Sequence, residues 1–313
     1  MKGLDLAQDF FESYGRPMLE SDFSELLPYL AAGLFGMGSE CFGFDDEVSR
    51  DHDFEPAFCL FLPGEDVVDR RKEFLLERAY AKLPRVFCGF RREAVLPVGG
   101  ARHGILRTAD FFRKTAGSED GNLSAIQWLT VPEQSLAEAT NGAVFYDGYG
   151  EVSRIRQNLA YFPRDIRLKR LAGNLLLMGQ AGQYNYSRCL LHGELEAAQL
   201  AVFEFVKHTL SVAFLLNCVY QPYYKWSFRA LRRLPILSEL ADALGALMTG
   251  GNVRTGAEEK RQTIEQICSI VCRVLMIQEL SFLSGNDLER HAYAVNDLIQ
   301  DSELRNMHIL AAL

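Results

Sequence analysis

The chain contains no run of about twenty uncharged apolar residues, the length a helix needs to cross a bilayer. Residues 1–6 hold no apolar core of the kind that targets a chain for secretion. Neither secretion nor membrane spanning is therefore expected, and the expected location is cytoplasmic. Seven cysteines are present, an odd number, with no Cys-x-x-Cys among them, which points to thiols in a reducing compartment rather than a disulfide framework. Cys268 and Cys272 stand one helical turn apart without a second pair, and are read as core. His103, His192, His208, His291 and His308 show no metal-ligand spacing, which removes a zinc site. The Gly-x-Ser-x-Gly nucleophile elbow and the P-loop ending in Gly-Lys-Ser/Thr are both absent, so a nucleophilic hydrolase and a P-loop kinase lack support. Basic charge is in deficit: 33 Lys and Arg against 41 Asp and Glu, a net −8. That balance argues against long nucleic acid as a partner. It leaves room for a small phosphorylated substrate held by a local cation cluster.

What is present is a soluble-globular balance, 48% hydrophobic and 24% charged over 313 residues, enough for two domains. Residues 4–14 and 17–31 have helical spacing, with Phe10, Phe11 and Tyr14 on one side of the first. Residues 30–35 are small and apolar and read as a buried strand, and residues 57–62 as a second. Residues 66–83 read as an amphipathic helix with Val67, Phe74, Leu75 and Ala79 inward. Short strands are expected at 95–98, 103–107 and 143–148. From about residue 151 strand signals stop. The longest apolar helix is expected over 195–220, with Leu200, Phe203, Val206, Leu210, Phe214 and Asn217 on its inner face, and a second long helix over 256–283. The expected class is α+β: residues 1–150 a domain with a small mixed sheet, residues 151–313 a helical bundle.

The informative stretch is Gly36-Met37-Gly38-Ser39-Glu40, followed by Asp51-His52-Asp53. A glycine turn after a strand can aim backbone N–H groups at a phosphate. Two carboxylates two residues apart share a face of a strand, the oxygen-donor arrangement that Mg²⁺ takes. Gly-Ser, eleven intervening residues, then Asp-x-Asp ahead of an apolar strand resembles the signature of the DNA polymerase β-like nucleotidyltransferase superfamily. The wider stretch 36–61, with Phe44-Asp45-Asp46-Glu47, is similar to an uncharacterised bacterial branch laid out like the aminoglycoside and lincosamide nucleotidyltransferases, a catalytic domain followed by a helical one. The resemblance implies that Asp51 and Asp53 hold one or two Mg²⁺ ions and that Gly38 and Ser39 hold a nucleoside triphosphate. It further implies transfer of a nucleoside monophosphate, AMP by preference, to a small hydroxylated acceptor. It also implies a third carboxylate from a neighbouring strand. Residues 103–107 carry no acid, which leaves Asp147 and Asp110 as the candidates, with Glu133 near by. His52 departs from the apolar residue usual between the two aspartates and is expected to face away from the metals. Arg50 is read as a partner of Asp45, Asp46 or Glu47. In the helical half, residues 183–188 and 221–226 cluster aromatic and hydrogen-bonding groups, where Arg188 and Lys225 are candidates to neutralise phosphate. The alternative reading is a nucleotide-binding or regulatory protein that keeps the fold without catalysis.

Overall fold

The computed structural model describes residues 1–50, 54–92, 103–253 and 255–313. The chain is α+β, with a small mixed sheet and an all-helical C-terminal region. It forms two compact units, Met1–Leu123 with Val131–Ala160, and Ser124–Thr130 with Tyr161–Leu313.

In the first unit, helices α1 (Gly3–Phe10) and α2 (Arg16–Asp22) are joined by one wide turn, Phe11–Gly15, with no break in the helix. Pro17 lies in the first turn of α2. Its ring cannot donate a hydrogen bond and crowds the carbonyl four residues back, and a π-turn relieves that crowding. The helix predicted over 17–31 stops at Asp22, where Phe23 leaves the helical region, and a 3₁₀ stretch over Ser24–Tyr29, containing Pro28, leads into strand β1 (Ala31–Leu34). Strand β2 (Cys59–Leu62) is buried at all four positions. Phe58, Leu60 and Leu62 join Phe10, Phe11 and Leu19 on one face, while Phe61 stacks on Phe35 on the other, with ring centroids 4.6 Å apart. Burial on both faces is why this strand reads as an unbroken apolar run.

Helix α3 (Arg70–Lys82) is capped by the Asp69 carboxylate, which accepts from Lys72 N–H. Its inner face differs from the predicted one: Leu76 and Tyr80 are buried, while Phe74 and Leu75 are exposed. The rotation is set by the Tyr80 hydroxyl, which donates to Phe58 O at 2.8 Å and accepts from Phe58 N–H at 3.2 Å. A hairpin, β3 (Val86–Phe87) with β4 (Phe90–Arg91), follows. The strand expected at 95–98 lies outside the described residues. Strand β5 (Gly104–Arg107), helix α4 (Thr108–Ala116), helix α5 (Ala125–Thr130), helix α6 (Glu133–Thr140), strand β6 (Ala143–Asp147) and helix α7 (Glu151–Asn158) come next. The sheet order is β5-β2-β1-β6, antiparallel except for the parallel pair β2–β5. Helix α7 counts with this unit and not with the helical half. Its N-terminus is held to the end of β6 by Asp147, and the division falls after Ala160, ten residues beyond the predicted boundary. Helix α5 counts with the second unit.

The second unit adds α8 (Arg164–Gly179), α9 (Tyr186–Leu191), α10 (Leu195–Leu216), α11 (Tyr224–Leu231), α12 (Leu240–Thr249), α13 (Thr255–Ile277), α14 (Leu288–Asp297) and α15 (Ser302–Asn306). A π-turn, Gln180–Asn185, joins α8 to α9. Among the described residues, α10 is the one helix long and apolar enough to cross a membrane by composition, and 67% of its most apolar window is buried inside the protein. Its inner stripe is Val202, Phe205, Val206, Thr209, Val212 and Ala213, whereas Leu200 and Phe203, predicted inward, are exposed. With so many apolar positions, the helix's own pattern does not single out one face, and its neighbours choose it. Cys268 and Cys272 are buried core thiols of α13, and burial pushes Cys272 up to about 11. All seven cysteines are free.

His208 sits buried on α10 with Nδ1 2.8 Å from Asn174 Oδ1. Asn174 spends its amide hydrogen on Arg170 O, so its carbonyl oxygen accepts from His208 Nδ1–H and leaves Nε2 bare. The charged groups facing the ring are Glu204, 3.3 Å from Nε2, and Lys207. Burial dominates and depresses the imidazole to about 4. In the unfolded chain the same ring titrates near 6.5. Between those values the unfolded state binds the proton and the folded state does not, so stability present above pH 6.5 is lost as pH falls toward 4. Urea titrations at pH 7.5 and pH 4 should show wild type losing about 3 kcal/mol more than His208→Gln over that range. An identical pH slope for the two proteins would refute the assignment.

Candidate functional site

The residues after β1 form a turn whose backbone only glycine accommodates easily. Gly36 has φ of 119° and Gly38 of 137°. Asn141, just before the neighbouring strand β6, clamps this turn: Gly36 N–H donates to Asn141 Oδ1 and Asn141 Nδ2 donates to Gly36 O, both at 2.8 Å. The next residue, Gly142, donates to Cys41 O at 2.8 Å. Asn141 is positioned in turn by Arg156 of α7. The Arg156 guanidinium lies 4.5 Å from the Phe35 ring centroid and donates to the carbonyls of Ala139, Thr140 and Asn141. Burial lowers its pKa to about 10, and the three carbonyls at the C-terminus of α6 supply the negative end that a cation needs there. Beyond the clamp, Phe42 and Phe44 donate to Ser39 O. Among the described residues, nothing accepts from the N–H of Gly38 or Ser39 or engages the Ser39 hydroxyl. These half-buried donors are the free hydrogen-bonding capacity of the turn.

Strand register locates the other parts. Because β1 and β2 are antiparallel with Gly33 opposite Cys59, the end of β1 and the beginning of β2 lie at the same end of the sheet. β5 starts there too, with Gly104 opposite Cys59 and Gly104 N–H donating to Phe58 O at 3.0 Å. Asp51, His52 and Asp53 lie outside the described residues, and so does the side chain of Arg50. Asp45 pairs with Lys2 at 3.3 Å and accepts from Gly3 N–H at 2.9 Å. Asp46 accepts from the N–H groups of Val48 and Ser49. Both acids thus have structural partners.

Neither main candidate for the third carboxylate is placed beside the turn. Asp147 stands opposite Ala31, while the turn follows Leu34, opposite Ala143. Four residues of strand separate them, roughly 13 Å at the rise of a β-strand. Both Asp147 oxygens are engaged at 2.8 Å by the N–H groups of Gly150 and Ser153. The residue is an N-terminal anchor of α7. Asp110 follows the far end of β5, is exposed, and pairs with Arg113 at 2.6 Å. Glu133 opens α6. Sequence reasoning missed Glu55. Its carboxylate lies 3.1 Å from His103 Nδ1, immediately before β5, and both groups are largely buried. The available signal was its position two residues beyond Asp53, continuing the alternation of acids.

In the second unit, Arg188 lies 5.1 Å from the Tyr184 ring centroid, and the Lys225 ammonium 5.0 Å from that of Trp226. Gln183 and Tyr184 line a cavity of about 690 Å³ beside the π-turn, together with Glu265, Asn286, Asp287 and Glu289. Three carboxylates on its wall repel a triphosphate. Tyr186, from the same sequence cluster, is fully buried core. Among the described residues no group of three His, Cys, Asp or Glu side chains converges to hold a metal.

A family model described as Domain of unknown function (DUF4037) matches residues 128–227. The matched span contains Asn141, Asp147, Arg156, Arg188 and Lys225, and starts after the glycine turn and the two aspartates. No curated protein and no solved structure matches the chain.

Proposed function

We propose that this chain is a cytoplasmic, Mg²⁺-dependent nucleotidyltransferase, moving a nucleoside monophosphate, AMP by preference, from its triphosphate to a small hydroxylated acceptor. The observation that carries the reading is the turn at the end of β1, whose Gly38 and Ser39 N–H groups meet no acceptor among the described residues, alongside the entry to β2 that follows Asp51 and Asp53. Backbone donors fixed by a clamp bind an anion without reorganising. Asp51 and Asp53 would hold Mg²⁺ through the hard oxygen ligands it takes, and the ion when bound neutralises charge on the triphosphate. In the transfer, the acceptor oxygen forms a bond to the α-phosphorus, the bond to the bridging oxygen breaks, and pyrophosphate leaves. The acceptor proton passes to Glu55, held in place by His103. Arg188 and Lys225 have no part in this reading, and neither a long nucleic acid nor a membrane enters it.

The test is calorimetric titration of ATP, GTP, CTP and UTP with Mg²⁺ on wild type and on Asp51→Asn/Asp53→Asn. Wild type should bind in a Mg²⁺-dependent way, and the double variant about a hundredfold more weakly, the loss of roughly 3 kcal/mol expected when charged partners are removed. Absence of binding, or equal Mg²⁺ dependence in the variant, overturns the metal assignment. The second reading, a nucleotide-binding or regulatory protein without catalysis, is favoured by the positions of Asp147 and Asp110. Pyrophosphate release with a panel of hydroxylated acceptors separates the two. Release lost in Glu55→Gln with ATP binding retained supports transfer. Tight binding with no release supports the inactive alternative.

A further inference from the structure

The charge of the chain is unevenly spread. Residues 205–238 contain no Asp or Glu but carry Lys207, Lys225, Arg229, Arg232 and Arg233, in a chain whose net charge is −8. Four of those cations fall on or immediately after α11, and all four are exposed. Aromatic rings are interleaved with them. Tyr223 and Tyr224 are 41% and 74% exposed, with ring centroids 4.3 Å apart. Trp226 has the Lys225 ammonium and the Arg229 guanidinium each 5.0 Å from its ring centroid. Arg232 pairs at 3.5 Å with Asp242, itself almost fully exposed.

Tyrosines left on the surface beside cations are not needed for the core. Ser227 and Leu231 are the positions at which α11 is buried. From the surface it leaves outside, we propose that the face carrying Tyr223, Tyr224, Lys225, Arg229, Arg232 and Arg233 binds a short single strand of nucleic acid. Rings present a sequence-tolerant stacking surface for bases, and the guanidinium and ammonium groups track the phosphates. A duplex offers no unstacked base to these rings. Eight residues of helix span about 12 Å, room for about three nucleotides at the stacked spacing. The acidic remainder of the protein confines the strand to this face. The inference stands apart from the nucleotidyl-transfer reading and uses none of the same residues.

The probe is fluorescein-labelled octauridylate, titrated by anisotropy against the full chain between about 50 and 200 mM salt. Four phosphate contacts give a slope of log K against log salt of about −3 for a single strand. Arg229→Gln should reduce the slope by about 0.7. Tyr224→Ala should weaken binding about tenfold at every salt concentration with the slope unchanged, and Tyr224→Phe should restore it. The side chain is exposed, so folding is unaffected, as circular dichroism would verify. No binding of the octamer overturns the proposal. So does equal affinity for a twelve-base-pair duplex, or for ATP alone. Binding unchanged in both variants does the same, as does capture by phosphatidylserine vesicles, sensitive to the same variants, in place of the oligonucleotide.

Discussion

Gly142→Ala should destabilise the first unit by about 4 kcal/mol, far more than an ordinary surface substitution. Gly142 has φ of 58°, where an L side chain costs about 1–2 kcal/mol. The larger cost is steric. A Cβ at this position would stand 2.1 Å from Leu34 O and 2.9 Å from the Phe35 Cα, both backbone atoms with no rotamer to yield. Relief requires β6 to draw back from β1, which stretches the Gly142-to-Cys41 hydrogen bond and the two bonds between Asn141 and Gly36. Gly150→Ala is the control. Its φ is 72° but nothing lies within 4 Å of the added carbon, so it should cost only the conformational part, about 1 kcal/mol. Denaturant titration followed by circular dichroism measures both. Amide exchange over Ala31–Leu34 and Ala143–Asp147 should accelerate in Gly142→Ala alone. Equal costs for the two variants would show that the close approach at Gly142 is absent. A nucleotide titration of the same variant asks whether the clamp serves the turn, because the donors of Gly38 and Ser39 lose their fixed geometry with it.

Lys169→Met should cost the second unit about 3 kcal/mol although methionine fills nearly the same volume. Lys169 is fully buried on α8. Its ammonium donates to Asn296 Oδ1 at 3.0 Å, Met307 O at 2.7 Å and Arg305 O at 3.4 Å, and burial lowers its pKa. No carboxylate faces it among these partners. The charge is held by carbonyl oxygens at and just beyond the C-terminus of α15, where the peptide dipoles present their negative end. Removing the ammonium leaves the half-buried Met307 O and Asn296 Oδ1 without this donor, at about 1–3 kcal/mol each. Asn296 Nδ2 still serves Arg305 O, which limits the loss. Both tryptophans, Trp128 and Trp226, belong to the second unit, so intrinsic tryptophan fluorescence reads this unfolding transition without contribution from the first unit. A change below about 1 kcal/mol would mean that solvent replaces the lysine and that the site is open.

These two residues illustrate where sequence reading stops. Gly142 and Lys169 are unremarkable in the sequence. One is a glycine before a strand, the other a cation in a helix rich in them. The partners that make them costly to change, Leu34 and Met307, are more than a hundred residues away. The strands at 31–34, 59–62 and 143–147, by contrast, were legible because apolar runs bounded by glycine or proline are local signals. The helical half was legible for the same reason, as were the cysteines of α13, which fall among Ile267, Ile270, Val271 and Val274. Helix faces were not. Phe74, Leu75, Leu200 and Phe203 fit a helical period, yet Tyr80 bound to Phe58 and the neighbours of α10 turned them outward. Asp147 was chosen as an acid at a strand end. The register put it at the wrong end of the sheet for the turn and gave both oxygens to α7.

The sequence by itself determined the α+β class, the order of the elements and the glycine turn, since period, composition and turn chemistry act over a few residues. Only the tertiary structure decided that Asn141 and Arg156 hold that turn, that Glu55 and not Asp147 lies at its end of the sheet, and that α5 counts with the helical unit. Each is a contact between segments tens of residues apart or more, and such contacts are chosen by packing and hydrogen-bond satisfaction across the whole fold, which no local pattern encodes.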